Sequence, residues 1–468
     1  MTHQEPLPPE HAKPCEGKKR AYSLTVCIVA RRLWFFFVIV TLAVSMFTII
    51  GPIYPYIVLS FFAKDHGGSD CISMPKSEPC RLAAADVTSY NSVVGSLTSA
   101  VSVFSALTLG SVSDSIGRRA IFITKGLLTT SALGALALYQ LAGVNLWIFL
   151  VLKPVSAMWD FNGVFLALVA DMIPEKEMRV VAVSTLLALT LAMALVSLAL
   201  GALLPITVCF ALALTAGAVK LFFYFAFFPE TLAAPTSQAM RQRQGPVGAL
   251  RAALQVLTAN AFIFRMACTA AIGSVSTMGT GLVAQAYLTA YIGMRRQELA
   301  ELSVVMGASV VVTVTGLARP LVECFGDVRT YQLSLIGVAV LPAGFCLCSE
   351  PWHVMLLCGL FTGPMILQFP TVTAIKSNLV GDAEQGLMQG ALASLLNAAS
   401  AAAALGFGWM YSVCTEGGTV ASRQSAFLPL LVASLIGAAS FLVSLSLPKQ
   451  VPPPVSLSAP DDLSTTLL

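Results

Sequence analysis

Two opposite charges share one face of a stretch that is otherwise built to dissolve in lipid. Between Trp147 and Ala170 only Lys153 and Asp160 are ionisable. If the stretch is helical, seven residues at ~100° each bring them to within ~20° of one stripe, ~10 Å apart along the axis. A charge at the centre of a bilayer costs roughly 2.5–3.5 kcal/mol even on the most lenient insertion scale, so such residues usually face a bundle interior or a watered cavity. The stripe therefore reads as the wall of a path for a solute or a proton. Asp160 is then the proton-responsive group, with Lys153 as its partner or as the anchor of a substrate anion. A structural ion pair holding helices together would satisfy the same two charges. Lys220 is an alternative partner at similar depth, although its neighbours Leu221-Phe-Phe-Tyr-Phe favour an ammonium reaching to the aqueous interface.

The elements that position these charges are set by composition. Hydrophobic residues make up 57% of the 468 and charged residues 11%, with a mean hydropathy of +0.82. Soluble domains carry about 25% charge. Twelve apolar stretches approach the ~20 residues needed to cross a bilayer, and backbone groups in hydrocarbon must be satisfied within each stretch, which requires helices. The expected fold is an all-α membrane protein of 12 transmembrane helices in two six-helix domains. Its parts are a tail at 1–32, a first domain at 33–228, a polar central loop at 229–261, a second domain at 262–447 and a tail at 448–468.

Basic residues orient this arrangement. Of 27 lysines and arginines, 19 fall on the side of the termini, six on the other side, and Lys153 and Lys220 within spans. The side richer in Lys and Arg is cytoplasmic, which places both termini there. The formal charge of +4 thus reflects topology and gives no reason to invoke nucleic acid. Cys71 and Cys80 lie in the first external loop, either as a disulfide or as two free thiols. No metal-ligand spacing, nucleophile–base pair or phosphate loop occurs in the polar segments, so neither an enzyme nor a cofactor is expected.

The loop between the second and third spans carries the most specific motif: Gly110-Ser-Val-Ser-Asp114-Ser-Ile-Gly117-Arg118-Arg119. Its glycines allow close helix approach and a tight turn. Asp114 suits a helix N-terminus, and the arginines suit carboxylates or lipid headgroups. With the span count, this motif resembles the major facilitator superfamily, whose pattern is G-x-x-x-D-R-x-G-R-R/K; Ser115 stands at its first basic position. Leu168-Val-Ala-Asp171 with Arg179, Ser349-Glu-Pro-Trp352, Phe369-Pro370 and Asp382-Ala-Glu-Gln385-Gly-Leu-Met-Gln389-Gly390 are similar to the tetracycline-resistance-like and hippocampus-abundant-transcript branch. Pro229-Glu-Thr is a wider trait of the superfamily. The span-5 Gly-Pro of tetracycline antiporters is missing from Ala194–Gly201, which leaves facilitated diffusion or symport open.

The resemblance implies a secondary transporter for a small organic solute working by alternating access, with protons as a candidate coupling ion. It also implies a site near the midplane lined by spans 1, 4, 7 and 10. The polar residues there are Ser45, Thr48, Tyr54, Asn162, Gln285, Tyr287 and Gln368. Gly110, Asp114, Gly117, Arg118 and Arg119 become a gating latch. A monomer in the plasma membrane or an endomembrane is expected, and a receptor or scaffold retaining the fold is the alternative function.

Overall fold

A computed structural model describes residues 14–68, 70–72, 74–157, 168–169, 172–173, 176–230, 246–379, 385–415, 423–448 and 451–452. Among them every regular element is helical. The N-terminal half contains α1 (Pro14–Thr48), α2 (Tyr54–Ala63), α3 (Glu78–Ile116), α4 (Arg118–Ala142), α5 (Trp147–Ala157), α6 (Lys176–Leu203) and α7 (Ile206–Ala226). A connecting helix, α8 (Pro246–Thr258), leads into α9 (Ala261–Tyr287), α10 (Arg296–Val312), α11 (Ala318–Phe325) and α12 (Asp327–Leu347). There follow α13 (Pro351–Ile366), α14 (Gln368–Leu379), α15 (Gln385–Thr415) and α16 (Leu428–Ser444).

Among the described residues eight helical segments are long and apolar enough to cross a membrane, and Trp147–Ala157, Leu189–Leu203 and Leu428–Ser444 are shorter apolar helices. The first apolar run of the 33–228 domain is not one continuous helix. Pro52 has no N–H for the carbonyl of Thr48, so α1 stops there, the chain turns through Ile49–Ile53, and α2 restarts at Tyr54. A similar break parts α13 from α14 at Leu367, flanked by Pro364 and Pro370.

Proline also shapes α5. Pro154 cannot donate to the carbonyl of Leu150, and the hydroxyl of Tyr90 on α3 donates to that carbonyl instead, at 2.5 Å. The orphaned group is thereby satisfied and α5 is tied to α3 next to Lys153.

Two helix pairs, α3 with α15 and α6 with α10, make the most extensive contacts between the halves, and α3 also touches α8 and α9. Along the first pair Ser394 Oγ donates to the carbonyl of Val103, and Gly408 lies so close to Ser92 that a Cβ would collide with it. Small residues let membrane helices approach in this way.

Buried apolar side chains of the described residues fall into three clusters. One spans both halves at the end carrying the 64–78 loop, with Ile57, Phe149 and Phe210 packed with Tyr287, Ile292 and Tyr411. At the other end each half has its own cluster: Leu33, Phe36, Phe122 and Phe228 in the first, Met266, Tyr331, Ile375 and Leu392 in the second. The halves thus share a core at the 64–78 end and keep separate cores at the Gly117 end.

Candidate functional site

The break at Pro52 decides where Tyr54 goes. As the first residue of α2, its ring packs 5.6 Å from Phe149 of α5 and its hydroxyl meets the ammonium of Lys153 at 2.5 Å. The same ammonium lies 4.0 Å from the ring centroid, so Tyr54 offers both a lone pair and a π face to one cation. Tyr54 also lines a narrow cavity between the halves. Asn91 of α3 stands on its N-terminal wall, and Gln285 of α9 and Thr289 on the opposite one. Thr289 belongs to a π-helical turn, Leu288–Ile292, that continues α9 and bonds its Oγ1 to the carbonyl of Gln285.

The other expected site residues are placed as follows. Tyr287 is fully buried and stacked on Tyr291 at 5.7 Å; it belongs to the shared core, beside but not on the cavity wall. Gln368 opens α14 beside Gly273 of α9 and lies apart from Tyr54's cavity. Asp160 and Asn162 lie outside the described residues. The ammonium expected to reach an interface, that of Lys220, is 2% exposed. It donates to Thr129 Oγ1 at 3.0 Å and contacts Met46 Sδ at 3.1 Å. Lys220 is buried because α7 packs on both α1 and α4, so the face bearing it turns inward although aromatic residues follow it.

The loop at Gly117 is built on a charge that sequence reasoning did not assign. Gly117 takes φ +93° between α3 and α4, a conformation favouring glycine. The carboxylate of Glu230, just beyond α7, accepts from the backbone N–H groups of Arg118 (3.0 Å) and Arg119 (3.2 Å). These are the first amides of α4, where orphan donors and the positive helix end favour an anion. A Cβ at Gly117 would strike that carboxylate. Arg119 donates from Nη2 to the carbonyl of Phe225 at 2.7 Å, and Arg118 is buried. Gly110 and Asp114 belong to the last turns of α3; their side chains lie outside what the structure describes. Glu230 sits in the Pro229-Glu-Thr segment, and its acid beside a proline was the available signal.

At the opposite end three contacts seal the halves together. Tyr56 donates to the carbonyl of Met294 at 2.6 Å, Lys76 packs over Gly293, and Arg296 donates to the carbonyls of Gly201 and Leu204. Cys71 and Cys80 are joined as a disulfide and bracket the turn bearing Lys76.

Helices paired across two halves, a narrow cavity between them with polar groups on both walls, and a seal at the disulfide end are features of a membrane carrier. The chain matches the Major Facilitator Superfamily over residues 33–405 and belongs to that family. It is a secondary transporter. No curated protein matches it. Among solved structures it is similar to the human organic anion transporter MFSD10 (TETRAN), at 19% identity and a TM-score of 0.61, over 88% of this chain and 99% of that one. The nucleoside transporter NupG gives 13% and 0.63, over 87% and 98%. A POT peptide transporter gives 14% and 0.60, over 89% and 93%. At these identities the likeness shows the fold alone.

Proposed function

We propose that the protein carries a small organic solute across a membrane by alternating access, coupled to protons through Asp160. Twelve spans form two six-helix domains, 33–228 and 262–447, which rock about the cavity between them. Both termini and the Gly117 loop face the cytoplasm, the disulfide loop faces the opposite compartment, and the carrier works as a monomer in the plasma membrane or an endomembrane. Lys153, Asp160, Asn162, Gln285, Tyr287 and Gln368 form or support the path. Gly110, Asp114, Gly117, Arg118 and Arg119 form the cytoplasmic latch.

One observation carries this reading: among the described residues the buried core is common to both halves at the disulfide end and divided at the other. That asymmetry belongs to a carrier closed on one side, and exchange of the joined end is the transport step. Binding a solute or proton can drive the exchange only through a difference in affinity between the two states. Asp160 supplies such a difference if opening hydrates it and closing dries it, because desolvation favours the neutral acid.

The experiment is solute accumulation in proteoliposomes with and without an imposed pH gradient. Asp160→Asn is expected to lose pH-driven accumulation while keeping exchange down the solute's own gradient. Accumulation equal to that of the parent would remove Asp160 from the coupling step.

A further inference from the structure

The Lys153–Tyr54 pair indicates the charge of the solute, an inference that rests on the carrier reading above. Lys153 has three N–H donors and no acceptor, and a phenol has one of each. With its oxygen accepting from the ammonium, Tyr54 still has its own hydrogen to donate. Polarisation by the cation makes that hydrogen a better donor. Among the described residues no acceptor takes it, and Tyr54 lines the cavity.

The rest of the wall matches this polarity. Asn91 and Gln285 each present a carboxamide, and neither is hydrogen-bonded among the described residues. Among the described residues no acidic side chain lines the cavity. Two ammonium groups, of half-buried Lys153 and buried Lys220, lie within the N-terminal half. Their partners among the described residues are a phenol, a hydroxyl and a thioether rather than a carboxylate. These described groups would repel a cationic solute. A neutral solute would give no return for burying the ammonium of Lys153 in an apolar helix.

We propose that the cavity takes the ionised carboxylate of a small organic acid. One carboxylate oxygen accepts from the Tyr54 hydroxyl, and the Lys153 ammonium behind it supplies the compensating charge. The carboxamides of Asn91 and Gln285 donate from opposite halves, so the anion bridges the halves and favours the closed arrangement at the disulfide end.

The test uses the full-length protein in detergent and in proteoliposomes. The probes are benzoate, glutarate and lactate, with benzamide and benzylamine as neutral and cationic counterparts of benzoate and inorganic phosphate as a non-carboxylate anion. A carboxylate is expected to raise the melting temperature of the parent, while benzamide, benzylamine and phosphate do not. Tyr54→Phe, which keeps the ring and the cation–π contact, should weaken carboxylate binding by about tenfold, the loss of one charge-assisted hydrogen bond. Lys153→Met should abolish binding and Lys153→Arg should restore part of it. If Lys153→Met fails to fold, Tyr54→Phe and Lys153→Arg carry the decision.

The anion assignment is overturned if no carboxylate stabilises the parent, if benzamide, benzylamine or phosphate does so equally, or if Tyr54→Phe binds benzoate as the parent does. Counterflow separates this from the carrier reading. Benzylamine counterflow without carboxylate binding would leave a carrier with the wrong solute class. Carboxylate binding without counterflow of any solute would leave an anion site in a protein that does not transport.

Discussion

Replacing Arg296 by glutamine is expected to release the seal at the disulfide end. Pro205 has no N–H to give to the carbonyl of Gly201, so α6 ends with that oxygen unpaired within its own helix. Arg296, at the start of α10 in the other half, donates to it and to the carbonyl of Leu204, the latter at 2.8 Å. A cation at a helix C-terminus contributes about 0.3–1 kcal/mol, and a hydrogen bond from a charged donor about 1.5–3 kcal/mol. Arg296 is only partly buried, so the lower ends apply and together give about 2 kcal/mol. The group is present only while this end is closed, so its loss moves the equilibrium between the two states by roughly 30-fold. The assay is the rate at which an impermeant thiol reagent, added on the disulfide side, modifies Gln285→Cys in a background without exposed thiols. Arg296→Gln should raise that rate by about 10–30-fold, and Arg296→Lys should fall between it and the parent. An unchanged rate in a folded, inserted Arg296→Gln protein would refute the capping argument.

Gly117→Ala should lower stability by about 1–3 kcal/mol, because φ +93° is strained for alanine and the methyl meets the Glu230 carboxylate. Chemical or thermal unfolding reads it, and a loss below the scatter of surface substitutions would contradict the Glu230 cap. Lys220→Met should leave stability unchanged or raise it by about 1–4 kcal/mol, since it removes a buried ammonium whose partners among the described residues are Thr129 and Met46. A large fall in melting temperature would show that Lys220's charge is needed for folding.

Much of the fold was legible in the chain because hydrocarbon leaves few choices: long apolar stretches must be helices, whatever their partners. The Gly117 turn was legible too, since a glycine before two arginines marks a tight turn. What escaped depended on contacts between distant residues. Tyr54 and Lys153 are separated by 99 positions, and Arg118 and Glu230 by 112. No local pattern links either pair. Lys220 was misjudged because the aromatic run after it describes one flank of α7, whereas the packing of α7 on α1 and α4 decides which flank turns inward. Pro52 was visible, but its consequence, a restarted helix aiming Tyr54 at α5, required knowing where α5 lies.

Alternating access is tested most directly by asking whether one cavity residue is reachable from both sides, but never from both at once. Gln285→Cys in proteoliposomes of known orientation, exposed to an impermeant thiol reagent on one face at a time, gives the answer. A second protein also carries Tyr56→Cys and Met294→Cys, whose parent residues touch across the seal, joined by a short bifunctional cross-linker before labelling. The expected result is labelling of Gln285→Cys from either face in the uncross-linked protein, and from the Gly117 face alone once the disulfide end is tied. Labelling from the same single face with and without the tie would mean that the two halves do not exchange, and the carrier account would be wrong.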